Sequence, residues 1–185
     1  MIHYVKKISL EAEYQRKFKE VILGAGCFWG VEKKFWDLEG VFLTAVGYSG
    51  GCTENPTYED VCFNNTNHAE VVKVIYDPSI IDLKSILKIF WECHDPTQGM
   101  RQGNDIGTQY RSVIFVLDDC DLGIAKETKD AFQIELEKNN FKGITTEISI
   151  VKNFYLAEEY HQQYLAKNPN GYCGIGGTGC ILPSN

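Results

Sequence analysis

Apolar residues in this chain fall into short continuous runs separated by stretches in which they recur every three or four positions. The runs Val21 to Ala25, Val41 to Val46, Glu70 to Tyr76, Ser112 to Leu117 and Thr146 to Val151 are strand-length, and β-branched residues recur in them, so they predict strands. Val31, Phe35 and Leu38 predict a helix from just after Cys27 to about Leu38, stopped by Gly40. Leu83, Ile86, Leu87 and Phe90 mark one face of a second helix with Asp82 as its N-cap, and Ala125, Thr128, Phe132 and Leu136 mark a third. A fourth is expected from about Tyr155 to Lys167, with Asn153 near its start and Pro169 beyond its end. The first six elements read β-α-β-β-α-β and an α-β-α follows. The expected fold is therefore α+β: a two-layer ferredoxin-like (split βαβ) sandwich with a mixed sheet, extra helices and a long coiled C-terminal tail. One domain over residues 1–185 is expected, with a core of about 20–167 and a tail of 168–185.

Three stretches between these elements are loop-rich. Gly47 to Tyr58 holds Gly47-Tyr48-Ser49-Gly50-Gly51 and Asn55-Pro56-Thr57-Tyr58. His94 to Arg111 holds Asp95-Pro96-Thr97-Gln98 and Gly103-Asn104-Asp105-Ile106-Gly107-Thr108-Gln109-Tyr110-Arg111. The tail holds Gly171-Tyr172-Cys173-Gly174-Ile175-Gly176-Gly177-Thr178-Gly179-Cys180. Aromatics mixed with glycine favour function in the first two, and the third reads as a mobile arm carrying two thiols.

Composition narrows the partners. With 185 residues, 44% hydrophobic and 12% aromatic, the chain can bury a full core. A net charge of −7 without a basic stripe argues against nucleic acid or an anionic membrane as partner. The first twenty residues carry charge at Lys6, Lys7, Glu11, Glu13, Arg16, Lys17, Lys19 and Glu20 rather than the apolar stretch of a signal peptide. No run reaches membrane-spanning length, so a cytoplasmic location is expected. Cys27, Cys52, Cys62, Cys93, Cys120, Cys173 and Cys180 form an odd, irregular set with no C-x-x-C pair. That spacing argues against a secreted disulfide framework, a thioredoxin-type motif and a common zinc ribbon.

The chemistry centres on Gly24-Ala25-Gly26-Cys27-Phe28-Trp29-Gly30, where an apolar run gives way to a helical pattern. Unpaired N–H groups at a helix start favour a thiolate, and such settings lower a cysteine pKa from about 8.5 to between about 3.5 and 7.5. Gly26 and Gly30 allow close approach of a ligand, and Phe28 and Trp29 could line an apolar pocket. A buried structural cysteine is the plainer alternative. Trp29 stands where a dinucleotide loop would need glycine, which argues against that fold. A zinc site drawn from Cys93, His94, Cys173 and Cys180 has unfavourable spacing. A Cys-His hydrolase pairing Cys27 with His68, His94 or His161 is the stronger rival, but it leaves the thiol-bearing tail unused. A redox reading uses both: Cys27 becomes a sulfenic acid, and Cys173 and Cys180 resolve it in turn. Glu70 shares a strand face with His68, Val72 and Val74, so its carboxyl is either a partly buried proton donor or a solvated strand-edge glutamate.

Gly26-Cys27-Phe28-Trp29-Gly30, Gly47 to Gly51, Asn55 to Tyr58, His68-Ala69-Glu70, Gly103 to Ser112 and Gly171-Tyr172-Cys173 together resemble the A-type peptide-methionine sulfoxide reductases, over about Val21 to Cys180. The resemblance implies reduction of the S epimer of methionine sulfoxide, free or in proteins, to methionine, without metal or other cofactor, in repair of oxidised proteins. It implies that Cys27 attacks the sulfoxide sulfur while Glu70 protonates its oxygen with Tyr58 and Tyr110 hydrogen-bonding around it. Phe28 and Trp29 would hold the methyl group, and Asp105 and His161 match positions near the site. Cys173 would then attack the Cys27 sulfenic acid, and Cys180 would exchange into that bond to present a disulfide to thioredoxin. The chain is expected to act as a monomer. Asn67 stands where the family usually carries glycine, and the spacing after Cys173 varies among members.

Overall fold

Six strands build one mixed sheet in the computed structural model, which describes residues 1–11, 13–14 and 17–183. Arg16 and the last two tail positions lie outside the described residues. In chain order the elements are β1 (Lys19–Gly24), α1 (Phe28–Lys33), β2 (Val41–Ser49), α2 (Tyr58–Phe63), β3 (Ala69–Tyr76) and α3 (Leu83–Cys93). Then come β4 (Arg101–Gln102), β5 (Asp105–Ile106), a 3₁₀ turn at Thr108–Tyr110, β6 (Val113–Val116), α4 (Asp119–Lys138), β7 (Glu147–Ile150), β8 (Tyr155–Leu156) and α5 (Tyr164–Lys167). The sheet order is β7-β6-β1-β3-β2-β8, and β4 and β5 form a separate hairpin. The β6–β7 pair is parallel and the other pairs in the sheet are antiparallel. A parallel pair needs a long crossover, and α4 supplies it.

Burial on both faces explains why the strand signals are apolar runs rather than alternations. Val72, Val74 and Tyr76 of β3 face the main core with Phe28, Val31, Ile86, Phe90 and Phe132. Ala69 and Val71 face a smaller cluster with Ile22, Val113 and Phe115, covered by Val151 and Phe154. Asp82 caps α3 by accepting from the Ser85 N–H at 2.8 Å, as its position predicts. Asp118 caps α4 through the Asp121 N–H at 2.8 Å. Ala125, Thr128, Phe132 and Leu136 are the buried stripe of α4. No helix among the described residues is long and apolar enough to cross a membrane.

Two helix expectations are corrected. The helix after Cys27 ends at Lys33, because Lys34 and Phe35 bond back only three residues, to Val31 and Glu32, and tighten the chain into turns before Gly40 at φ +89°. The helix expected over 155–167 is reduced to α5. Tyr155 and Leu156 pair instead with Tyr48 and Gly47 as an edge strand, and Gln162 turns its amide onto the backbone of Val46. Gln163 is left-handed (φ 47°, ψ 43°), so helix begins only after it. Conversely, α2 was not expected: Thr57 and Asp60 form a capping box within a stretch whose turn residues read as loop.

Candidate active site

Cys27 sits where the end of β1, the start of α1 and the middle strand β3 meet. A Cβ on Gly24 would come within 2.8 Å of Val113 and 2.9 Å of the Glu70 carbonyl. Gly26 has φ +92°, and a Cβ there would meet Gln102 at 2.8 Å. The chain can therefore turn this sharply only on glycine, and Cys27 becomes the N-cap of α1. The backbone N–H groups of Trp29 and Gly30 favour the thiolate. Burial opposes them and dominates, Glu70 and Asp105 add negative charge, and the thiol is pushed well above its ordinary value. The depressed pKa expected for a helix-end cysteine is thus overturned. Two N–H groups of a six-residue helix do not offset desolvation beside a carboxyl.

Glu70 projects from β3 beneath α1, is 2% exposed, and accepts the Phe28 N–H on Oε2 at 3.0 Å. Burial raises its carboxyl to about 8 despite that bond, with Asp105 adding to the shift. It is therefore mainly protonated at neutral pH, and the solvated strand-edge alternative falls because β3 lies between β1 and β2. Tyr58 opens α2, and its N–H donates to Glu158 Oε1 at 2.8 Å, while the Tyr48 hydroxyl donates to Glu158 Oε2 at 2.8 Å. Tyr110 closes the 3₁₀ turn. Burial first, then neighbouring negative charge including that of Glu70, pushes both phenols up, so they remain neutral donors. The neighbouring Cys62 thiol adds to the rise at Tyr58.

An aromatic wall completes the site. Trp29 donates its indole N–H to His161 Nδ1 at 3.0 Å and stacks on Tyr164 with ring centroids 3.8 Å apart. Phe28 is buried in the core, 5.0 Å from the His161 ring and 6.0 Å from Tyr48. His161 lies 4.6 Å from the Tyr58 ring. Because its Nδ1 accepts from Trp29, its proton is on Nε2, which is buried without a partner among the described residues, 4.0 Å from Glu158. Burial holds this imidazole neutral, at about 4.

Neither rival chemistry finds its geometry. Each histidine offered as a base for Cys27 has its basic nitrogen engaged: His68 Nδ1 by the Gly51 N–H, His161 Nδ1 by Trp29, and His94 Nε2 by Ser112. His94 Nδ1 must carry the proton, since it donates to the Phe90 carbonyl. Among the described residues, Cys93, His94, Cys173 and Cys180 do not converge as a ligand set. The one such convergence is Asp118, Cys120 and Asp121, and Asp121 is paired with Lys19 at 2.9 Å.

The tail separates its two thiols. A Cβ on Gly30 would meet Cys173 Sγ at 3.1 Å and Ile175 at 3.3 Å, so Gly30 makes room for the tail rather than for a ligand. Cys173 thereby rests, exposed, on the first turn of the helix that Cys27 caps. Tyr172 beside it donates to Asp105, 3.2 Å from each carboxylate oxygen. Cys180 does not ride free as a mobile arm would have it. It is 7% exposed against the Glu135 carbonyl of α4, and the next buried residue, Leu182, donates its N–H to Glu92 at 2.9 Å. Lys88, which is paired with Glu92, donates to the Leu182 carbonyl. Leu182 and Pro183 line a cavity of about 230 Å³ with Asp82, Ser85, Lys88 and Glu127, and none of the predicted site residues lines it.

The structure places Cys27, Phe28, Trp29, Tyr58, Glu70, Asp105, Tyr110, His161 and Cys173 close together, and Cys180 apart from them; sequence reasoning named all of these. It missed Tyr48, Glu158, Tyr164 and Tyr172, which hold the named residues in position. Tyr48, within Gly47 to Gly51, and Tyr172, adjacent to Cys173, carried a sequence signal; Glu158 and Tyr164 carried none. Asn67, the departure from the usual glycine, has φ +56°, a left-handed position that asparagine tolerates better than most residues.

Residues 19–178 match the family model described as peptide methionine sulfoxide reductase. The peptide methionine sulfoxide reductase MsrA of Photobacterium profundum is 57% identical over 183 residues, 98% of this chain and 87% of that protein. Methionine sulfoxide reductase A of Corynebacterium diphtheriae superposes with a TM-score of 0.87 at 41% identity, over 98% of this chain and 89% of that one. Mxr1 of Saccharomyces cerevisiae, in a crystal structure with Trx2, aligns with a TM-score of 0.59 at 29% identity, over 85% of this chain and 92% of that one. With a buried acid, two phenols and a second thiol around Cys27, and with agreement over nearly the whole chain, this protein belongs to the A-type peptide methionine sulfoxide reductases.

Proposed function

We propose that this enzyme reduces the S epimer of methionine sulfoxide, free or in oxidised proteins, through a sulfenic acid on Cys27. The observation that carries the reading is Glu70: a carboxyl held at about 8 by burial, bonded to the N–H of the residue after Cys27, is a neutral acid poised beside a sulfur nucleophile. Attack by the Cys27 sulfur on the sulfoxide sulfur places negative charge on the sulfoxide oxygen. Glu70 protonates that oxygen, and the hydroxyls of Tyr58 and Tyr110 stabilise it. The methyl group lies against Trp29, backed by Phe28. The oxygen passes to Cys27, methionine leaves, and the thiol proton balances the hydroxyl, so the products are methionine and Cys27 sulfenic acid. The Cys173 thiol then displaces water to give a Cys27–Cys173 disulfide.

Thioredoxin is the proposed reductant, supported by the Mxr1 relative captured with Trx2. Cys180 enters the relay only after leaving its seat on α4. All the named groups lie on one chain, so a monomer suffices, with 168–185 as its recycling tail. The order β6-β1-β3-β2, with α1 and α3 as crossovers, supports the split βαβ description of the core. The reading is tested by following the two sulfoxide epimers separately with dithiothreitol as reductant. The S epimer is expected to disappear alone; no loss, or equal loss of both, refutes the proposal.

A further inference from the structure

Away from the reacting atoms, α1 carries a second fully buried acid, Glu32, for which the mechanism has no use. Its partners all donate. Thr44 Oγ1 donates to Oε1 at 2.9 Å, the Gln163 amide side chain donates to Oε1 at 2.6 Å, and the Gln163 backbone N–H donates to Oε2 at 2.8 Å. None of these directions can reverse. The Gln163 side chain is oriented by the Tyr4 N–H, which donates to its oxygen at 2.8 Å. Thr44 receives its own hydrogen bond from His3, whose Nδ1 accepts the N–H groups of Val5 and Lys6 and whose Nε2 therefore carries the proton. Glu32, Thr44, His3 and Gln163 are all buried. Burial raises the Glu32 carboxyl to about 7, but a protonated Glu32 would have to aim a donor at donors.

What this cluster holds is the left-handed turn at Gln163, a conformation that costs a non-glycine residue energy and persists only when its surroundings over-determine it. The residues on either side of that turn are the two that fix Trp29. His161 accepts its indole N–H and Tyr164 stacks on its face. One end of α1 thus presents Cys27, and the other end grips the segment that orients Trp29.

We infer that Glu32 is a positioning residue for substrate binding: as a carboxylate completed by His3 and Thr44, it clamps Gln163 in its left-handed turn and so sets the Trp29 face that receives the substrate methyl group. The inference rests on the proposed reading of Trp29, and the experiment separates the two. Glu32→Gln keeps size but forces one donor against another. Its KM for the S sulfoxide is expected to rise about tenfold while the first-turnover rate at saturation stays within about threefold. In ¹H–¹⁵N spectra of the substrate-free enzyme, the Trp29 indole resonance is expected to leave its wild-type position while those of Trp36 and Trp91 stay. If Glu32→Gln does not fold, Thr44→Val carries the test, with the same indole shift and a KM rise of about threefold. A folded variant with an unmoved Trp29 resonance and unchanged KM overturns the inference. A moved resonance with unchanged KM supports the clamp and overturns the assignment of Trp29 to the substrate wall.

Discussion

Glu70→Gln separates the stability role of the buried carboxyl from its chemical one. A carboxyl moved from 4.5 to about 8 on folding binds its proton more tightly in the native state. The stabilisation this provides is complete below the unfolded value and is lost as pH rises through the native value, so wild-type stability falls by about 1.4 kcal/mol per pH unit between them. Between about pH 5.5 and pH 8 the loss is about 3 kcal/mol, which at a slope of about 2 kcal/mol per molar corresponds to about 1.5 M in urea midpoint. Glutamine has no such titration. Glu32, held at about 7, titrates in both proteins and cancels in the difference. Urea denaturation across that range is therefore expected to show the variant gaining on the wild type by about 1.5 M. The same substitution is expected to slow methionine release in the first turnover by about 10²-fold or more. A midpoint difference that stays flat with pH would mean that Glu70 is already ionised at neutral pH, and the neutral-acid mechanism would fail with it.

Two further outcomes concern the tail. Cys173→Ala is expected to release one methionine per enzyme and then stall with thioredoxin as reductant; full turnover would show that another thiol resolves Cys27. Leu182→Ala removes the plug that holds the tail on α3 and α4 at a cost of about 2 kcal/mol or more, enough to speed maleimide labelling of Cys180 by about 30-fold through local opening. An unchanged labelling rate would show that Leu182 does not hold Cys180 in place.

The elements legible in the sequence were those whose signal is local. Asp82 announces α3 because a cap and an apolar stripe lie within a few residues of one another, and the strand runs announce themselves because the sheet is buried on both faces. The segment 155–167 misled because its apolar spacing fits a helix, while what decides its shape is distant: β2 accepts Tyr155 and Leu156, and Glu32 holds Gln163 left-handed. The Cys27 environment was misread for a similar reason. The glycines and the helix start are visible in the sequence, but the depth of Glu70, which comes from β3 lying in mid-sheet, and the partial desolvation of the thiol beside it are not. Cys180 looked free because glycine spacing reports reach and says nothing of the apolar seat that α4 offers.

The corrected state of Cys27 bears on why the site is built with so many acids. An ionised Glu70 raises the thiol, so the two groups resist holding two negative charges at once. In the proposed reaction that conflict never arises. The proton Glu70 gives to the sulfoxide oxygen leaves a carboxylate, and the thiol proton refills it as the sulfur commits its electrons to the new bond. Charge develops only when an oxygen is present between Glu70 and the two phenols to receive it. Without that oxygen, Cys27 is a half-buried neutral thiol, and susceptibility to stray oxidation and alkylation follows thiolate character. The high pKa is therefore compatible with catalysis and supplies selectivity: the substrate that draws the proton from Glu70 is also the one that makes the thiol nucleophilic.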